Sequence, residues 1–287
     1  MKPPELDYAA PTSLGEALAL LGASEDAKLL AGGQSLIPLL SFRLAAPALL
    51  VDLARIPGLD VVERSNGYVR VGAMVRQRTA EESELLRATV PLLAPALRHV
   101  AHPQIRSRGT VGGSIAHADP AAELPALVVA LDGRVRASSE RGERWIDASD
   151  LYAGFLTTTL EPDEIVTLIE LPVAPPATGA ACVEVARRAG DYALAGALVQ
   201  VTCGDRRVLE DVRVALLGVG ARPHRVTSVE ERLRGEVAEP ELLAAASAHA
   251  ADGLEPQTDA QATAQYRRHL ARVLVRRGLE LALERAA

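Results

Sequence analysis

The sequence predicts a mixed α+β chain built as two domains. Its 287 residues suffice for about two domains at ~150 residues each. Helical periodicity and strand alternation interleave along the whole length. One break stands out: "LPVAPPATGA", Leu171–Ala180, carries three prolines and a glycine in ten residues, directly after a strand-like run.

The elements follow in order. "TSLGEALALL" places Ser13 three residues before Glu16, the spacing of a capping box. Leu14, Ala17, Leu18 and Leu21 then share one helical face. "AKLLA" reads as a short strand, "SLIPLLSFRLA" as helical beyond Pro38, and "ALLVDLA" as a buried strand, so the first fifty-odd residues form a small α/β unit. "GYVRVGAMVRQ" alternates as a strand from Gly67. A second box, Thr79 and Glu82, opens the helical stretch "TAEESELLRATVPLLAPALRHVA". From Leu124 to Leu171 an apolar segment is followed by the strands "RVRAS" and "EIVTLIEL". After the break come the strand-like runs "CVEVARR", "ALAGALVQVTC" and "VLEDVRVALLGVG". A helix begins near Pro240, and a last one carries an apolar stripe of Tyr266, Leu270, Val273, Leu274 and Leu281.

Composition excludes several classes. Hydrophobic residues make up 48% of the chain, and the net charge is -6, from 31 basic and 37 acidic residues. A general nucleic-acid surface needs the opposite balance. The two cysteines, Cys182 and Cys203, form no CxxC pair and can build neither an iron–sulfur nor a zinc site alone. The N-terminus lacks the apolar core of a signal peptide, and no run reaches the ~18 apolar residues of a membrane span. The expected location is the cytoplasm.

Two glycine pairs interrupt this hydrophobic chain. "LLAGGQSLIPLL" begins at Leu29, and "IRSRGTVGGSIAHADPAAELPAL" begins at Ile105. Each pair sits beside hydroxyl residues. Successive backbone N–H groups in such turns form anion-binding concavities, so two of them facing one cleft could hold a pyrophosphate. The two ordinary nucleotide motifs, G-x-G-x-x-G opening a helix and G-x-x-x-x-G-K-[ST], are missing.

"AGGQSLIPLL", "HPQIRSRGTVGGSIAHADPAAELPAL" and "ARRAGDYAL", in this order, resemble the FAD-binding medium subunits of molybdenum hydroxylases. That family includes the flavoprotein subunit of carbon monoxide dehydrogenase and the flavin domain of xanthine dehydrogenase. The resemblance implies an FAD-binding domain of the vanillyl-alcohol-oxidase and p-cresol-methylhydroxylase type over residues 1–175, in lobes of about 1–55 and 56–175. Residues 180–287 would form a small α+β domain with a three-stranded antiparallel sheet and helices.

Site roles are carried by the same resemblance. Ala31, Gly32, Gly33, Gln34, Ser35 and Leu36, with Leu30 before them, match the first pyrophosphate loop. Thr110, Gly112, Gly113 and Ser114 match the second, followed by Ala118. Backbone N–H groups of all four glycines would meet phosphate. Glu123 stands where relatives place an Asp on ribityl or ribose hydroxyls. Ile165 and Val166 would line the flavin ring, and Tyr192 would lie beside it. Lys28 precedes the first loop and faces either phosphate or solvent. His99, His102 and His117 cluster around the second loop without metal-ligand spacing, and no catalytic side chain is implied.

The implied function is an electron-transfer flavoprotein. Noncovalent FAD would accept electrons from [2Fe–2S] clusters of a small subunit and pass them to an external acceptor. Hydroxylation would occur at a molybdenum cofactor in a large subunit, the whole forming a heterotrimer or its dimer. Two alternatives are a free-standing FAD oxidase or dehydrogenase and a non-catalytic nucleotide- or partner-binding module. The first needs a substrate pocket with its own base; the second would not keep two intact glycine loops.

Overall fold

Residues 1–286 are described by a computed structural model. The chain starts with β1 (Asp7–Ala9), α1 (Leu14–Gly22), β2 (Ala27–Leu30), α2 (Leu36–Ser41) and β3 (Leu49–Asp52). The three strands pair in parallel in the order β1-β3-β2, which leaves β2 at an edge. Ser13 caps α1 by accepting from the Glu16 N–H at 3.2 Å, and the Glu16 carboxylate accepts from the Thr12 N–H at 2.9 Å. Ala17, Leu18 and Leu21 then bury the helix against Val51 and Leu53. Helix α2 starts at Leu36, earlier than expected beyond Pro38. Pro38 lies in the first turn, where its missing N–H has no intrahelical partner to lose.

The middle segment begins with β4 (Val62–Ser65) and β5 (Tyr68–Gly72). Six short helices follow: α3 (Gln77–Glu82), α4 (Glu84–Thr89), α5 (Leu93–His99), α6 (Pro103–Arg106), α7 (Val111–His117) and α8 (Glu123–Ala130). Then come β6 (Arg134–Ser139), β7 (Gly142–Asp147), α9 (Ala148–Leu151), the hairpin β8 (Tyr152–Gly154) and β9 (Thr157–Thr158), and β10 (Ile165–Pro172). Strand β10 is central in the antiparallel sheet β4-β5-β10-β6-β7. The expected capping box at Thr79 does not form. Thr79 lies inside α3, and Ser83 caps α4 by accepting from the Leu86 N–H at 3.3 Å.

The last segment holds β11 (Thr178–Ala186), β12 (Ala193–Cys203), β13 (Leu209–Leu217) and β14 (His224–Arg225). They form one antiparallel sheet in chain order. It has four strands rather than the expected three, because Arg225 and His224 pair with Ala215 and Leu216 at the open edge of β13. Helices α10 (Thr227–Leu233), α11 (Pro240–Ser247) and α12 (Ala264–Arg285) complete the chain. The sheet is buried on both faces. Ala180, Cys182, Leu198 and Ala215 point into the core shared with α5 and α8, while Ala181, Val199 and Val214 pack with α12. The buried stripe of α12 is therefore rotated from the expected one. Leu270 and Leu274 are buried with Ala271, Gly278 and Ala282, whereas Tyr266 is exposed. Close approach explains the choice of small residues: a Cβ at Gly278 would fall 2.7 Å from Val199 Cγ2.

Two arginines tie the last segment to α8. Arg225 donates to the carbonyls of Val129 and Ala130 at 2.8 and 2.6 Å, and Arg213 donates to that of Leu131 at 2.8 Å. Both also pair with Asp132 at 3.0 Å. Cations thus meet the last carbonyls at the negative end of a helix. Among the described residues no helix is long and apolar enough to cross a membrane.

Candidate functional site

Strand β2 delivers the first glycine pair to the edge of the parallel sheet. Gly33 turns the chain with φ +74°, a conformation that favours glycine, and α2 begins three residues later. The Gln34 side chain donates to the Gly32 carbonyl at 2.9 Å and closes the loop. The backbone N–H groups of Gly32, Gly33, Gln34, Ser35 and Leu36 find no acceptor among the described residues. Ser35 stands at the N-cap of α2, yet its hydroxyl makes no capping bond. Consecutive free donors at the start of a helix form an anion cradle.

The second glycine pair has a different task from the one expected. Thr110 caps α7, its hydroxyl oxygen accepting from the Gly113 N–H at 3.0 Å. Gly112 donates to the Ala73 carbonyl at 2.9 Å, and Val111 donates to that of Val75 at 2.9 Å. The N–H groups of Gly112 and Gly113 are thus engaged within the protein. Their lack of side chains serves close packing instead. A Cβ on Gly112 would fall 2.5 Å from Ala73 Cβ, and one on Gly113 would fall 3.2 Å from Ala31 Cβ. The donors left on this side are the Ser114 and Thr110 hydroxyls.

The two loops lie directly against each other. A Cβ on Gly32 would meet the Arg108 carbonyl oxygen at 2.5 Å and Gly109 Cα at 2.7 Å. Behind them, Arg76 donates to the same Arg108 carbonyl and bridges to Thr110, and Gln77 donates its N–H to the Gly109 carbonyl at 2.9 Å. The sequence reading missed Arg76, Gln77 and Ala73, since no motif links them to residues thirty positions on.

Helix α7 ends at Ala118, which is left-handed with φ 56°. The chain then turns through Asp119, whose carboxylate accepts from the Ala121 N–H at 2.9 Å. An Asp before Pro is a turn signal that could have flagged it. Tyr192 reaches this corner from the loop between β11 and β12. The residue is 60% exposed, but its hydroxyl end lies beside Asp119 and Ser35. Burial raises that hydroxyl's pKa, and the charges of Asp119 and Glu123 raise it further. One corner therefore brings together the first loop, the turn after the second, and Tyr192.

Glu123 opens α8 and is only 8% exposed. Burial pushes its pKa up to about 8, and the neighbouring Glu184 carboxylate adds to the shift. Glu184 pairs with His99 at 3.1 Å, leaving its second oxygen buried without a partner. That carboxylate in turn raises the His99 pKa. Ile165 and Val166 are 0% and 6% exposed: Ile165 belongs to the core on which Leu29 and Ala31 pack, and Val166 to the larger core of the middle segment. Lys28 is exposed on β2 and makes no ion pair among the described residues. Leu30 packs under the turn, 3.4 Å from where a Gly33 Cβ would be. Cys182 is buried, and burial holds its thiol well above the ordinary range.

A mixed α/β fold with a row of free backbone donors at a sheet edge is the arrangement of a protein that can hold an anionic group. Comparison with known proteins narrows the class. Residues 4–174 match the FAD binding domain in molybdopterin dehydrogenase, and residues 180–282 match the CO dehydrogenase flavoprotein C-terminal domain. The chain is 43% identical over 277 residues to the nicotine 6-hydroxylase medium subunit of Paenarthrobacter nicotinovorans, covering 96% of this chain and 97% of that one. It is 37% identical to the carbon monoxide dehydrogenase medium chain of Hydrogenophaga pseudoflava, each chain covered in full. The solved carbon monoxide dehydrogenase of that organism superposes with a TM-score of 0.97 over 100% of both chains, at 37% identity. Quinoline 2-oxidoreductase from Pseudomonas putida 86 superposes with a TM-score of 0.95 at 38% identity, covering 100% of this chain and 99% of that one. The chain belongs to the FAD-binding medium subunits of the molybdenum hydroxylase family.

Proposed function

We propose that FAD lies with its pyrophosphate on the free N–H groups of Gly32–Leu36. The Thr110 and Ser114 hydroxyls close the other side. The row of unpartnered donors, held against the second loop, carries this reading. The flavin ring lies beside Tyr192, and Ile165 and Val166 contribute backbone and core support to that side. Glu123, neutral at its raised pKa, can both donate to and accept from a ribityl or ribose hydroxyl. Bound FAD supplies two-electron redox chemistry; the chain orients it and sets its electrostatic surroundings.

In this reading residues 1–175 are a two-lobed domain of the vanillyl-alcohol-oxidase type, and residues 180–287 form the second domain. Partners are a large subunit with a molybdenum cofactor and a small subunit with two [2Fe–2S] clusters, which feed electrons to this chain for an external acceptor. The complex works in the cytoplasm, where Cys182 and Cys203 stay reduced. Titration of the apoprotein with FAD tests the cofactor. Stoichiometric binding at micromolar concentration, with acid-releasable flavin, is expected; its failure in folded protein removes the reading. Stopped-flow mixing tests the partners. Organic substrates should leave the isolated chain's flavin oxidised, and rapid direct reduction would overturn the subunit role.

A further inference from the structure

Two cavities, of about 460 and 260 Å³, share one wall, the pair of His99 and Glu184. Arg277, Glu280 and Glu284 of α12 line the first, and Arg98, His102 and Arg188 line the second. Both ring nitrogens of His99 are committed. Nε2 donates to the Cys182 carbonyl at 3.3 Å, which fixes the tautomer. Nδ1 then lies 3.1 Å from Glu184 Oε1, a contact that is attractive only with a proton between them. The His99 side chain is 34% exposed and that of Glu184 only 7%. The other Glu184 oxygen, Oε2, is buried with no hydrogen-bond partner. A buried polar atom left unpaired is costly, and a proton donor beside it accounts for its survival. Glu123 is such a neighbour: it is 8% exposed, and the charges of Glu184 and His99 both act on it. Cys182 is buried beside both carboxyl groups. Glu123 and Asp119 in turn act on the Tyr192 hydroxyl at the cofactor corner.

We propose that His99, Glu184 and Glu123 form a proton path from the two cavities to the FAD corner. The inference rests on the FAD reading above. Iron–sulfur clusters pass electrons without protons, so FAD reduced through them takes its proton from elsewhere. Two electrons from the small subunit and one proton give the anionic reduced flavin. The Glu123 O–H bond breaks as its proton passes toward the cofactor through the hydroxyls at that corner. Glu123 then takes a proton from Glu184, whose carboxyl turns about its last bond to present it at Oε2. Glu184 takes the Nδ1 proton of His99, and solvent in either cavity restores it. The net change is one proton moved from solvent to the cofactor for each electron pair. Burial raises the Glu123 pKa to about 8, so the inner end of the path is loaded at neutral pH.

The test reduces FAD-loaded protein with a flash-generated one-electron donor in the presence of a pH-indicator dye. Flavin bleaching reports electrons, and the dye reports protons taken from solvent. In Glu184→Gln, whose amide cannot relay a proton, uptake should slow about tenfold or more. FAD affinity and electron arrival should stay as in wild type. His99→Ala should slow uptake likewise, and added imidazole, entering the space the ring leaves between the cavities, should restore it. Unchanged uptake in either variant overturns the proposal. So does slow uptake in His99→Ala that imidazole fails to restore, which marks a purely structural ring. A further readout needs no cofactor. Infrared spectra of the apoprotein at about pH 7 should carry a protonated-carboxyl band that Glu123→Gln removes. Absence of that band from wild type overturns the path at its inner end. Wild-type protein that keeps the band but holds no FAD would instead signal failure of the FAD reading.

Discussion

The backbone of Gly32 rests on the backbone of Arg108, close enough that a Cβ on the glycine would come within 2.5 Å of the Arg108 carbonyl oxygen. Main-chain atoms cannot swing aside as a side-chain tip can. Gly32→Ala must therefore push the two loops apart, and overpacking of this kind costs about 1–3 kcal/mol. Urea unfolding of the apoprotein should show this loss even without FAD. Wild-type apoprotein stability in the variant would mean that the loops do not touch.

Gly33 should behave differently. A Cβ there meets only the Ile37 and Leu30 side chains, nearest at 3.1 Å, and the main penalty is the left-handed backbone at φ +74°. That penalty is about 1–2 kcal/mol, which a folded apoprotein can absorb. The loop it distorts carries the free donors. Gly33→Val should weaken FAD binding at least tenfold, about 1.4 kcal/mol, while the apoprotein stays folded. Unchanged affinity would move the phosphates elsewhere.

These two glycines show what a sequence can and cannot reveal. Local signals were legible: the Ser13–Glu16 cap, the strand-like runs of β11 to β13, and the two glycine pairs. The task of Gly112 was not legible, because its reason is Ala73, a residue 39 positions earlier. The Thr79–Glu82 spacing misled because the chain is already helical at Gln77, so Thr79 lies inside α3, and the helix after it is capped by Ser83 instead. The α12 stripe was read partly off its face: Leu270 and Leu274 are buried as expected, but Gly278 and Ala282, which look neutral in sequence, are what the sheet packs on. Glu123, Glu184 and His99 come from three separate elements, and only the fold makes them neighbours.

Tyr192 offers a separation of cofactor from stability effects. The residue is 60% exposed. Tyr192→Phe should change folding stability by no more than about 0.5 kcal/mol. Loss of the hydroxyl beside Ser35 and Asp119 should still alter the absorption and fluorescence of bound FAD. A Tyr192→Ala variant with wild-type flavin spectra and affinity would place the ring away from this residue.

The pH dependence of stability follows from Glu123. Its pKa rises from 4.5 to about 8 in the folded chain, through burial first and the Glu184 charge second. Between these values the folded state holds a proton that the unfolded chain has released. The contribution is therefore complete below pH 4.5 and lost as pH climbs through 8. His99 acts in the same direction, since Glu184 raises its pKa and the benefit fades as the imidazolium deprotonates. Glu164 has the opposite sign: the Arg144 hydrogen bond lowers its pKa, so its contribution is lost in acid. Above about pH 5 the first two dominate. Urea unfolding of the apoprotein between pH 5.5 and 8.5 should show falling stability, with Glu123 supplying at most about 3.5 kcal/mol of the change. Glu123→Gln cannot ionise and should flatten most of that slope, becoming more stable than wild type at the alkaline end. Parallel curves for the two proteins would show that Glu123 is not held as a buried neutral acid, and would remove the donor assigned to the flavin's sugar hydroxyls.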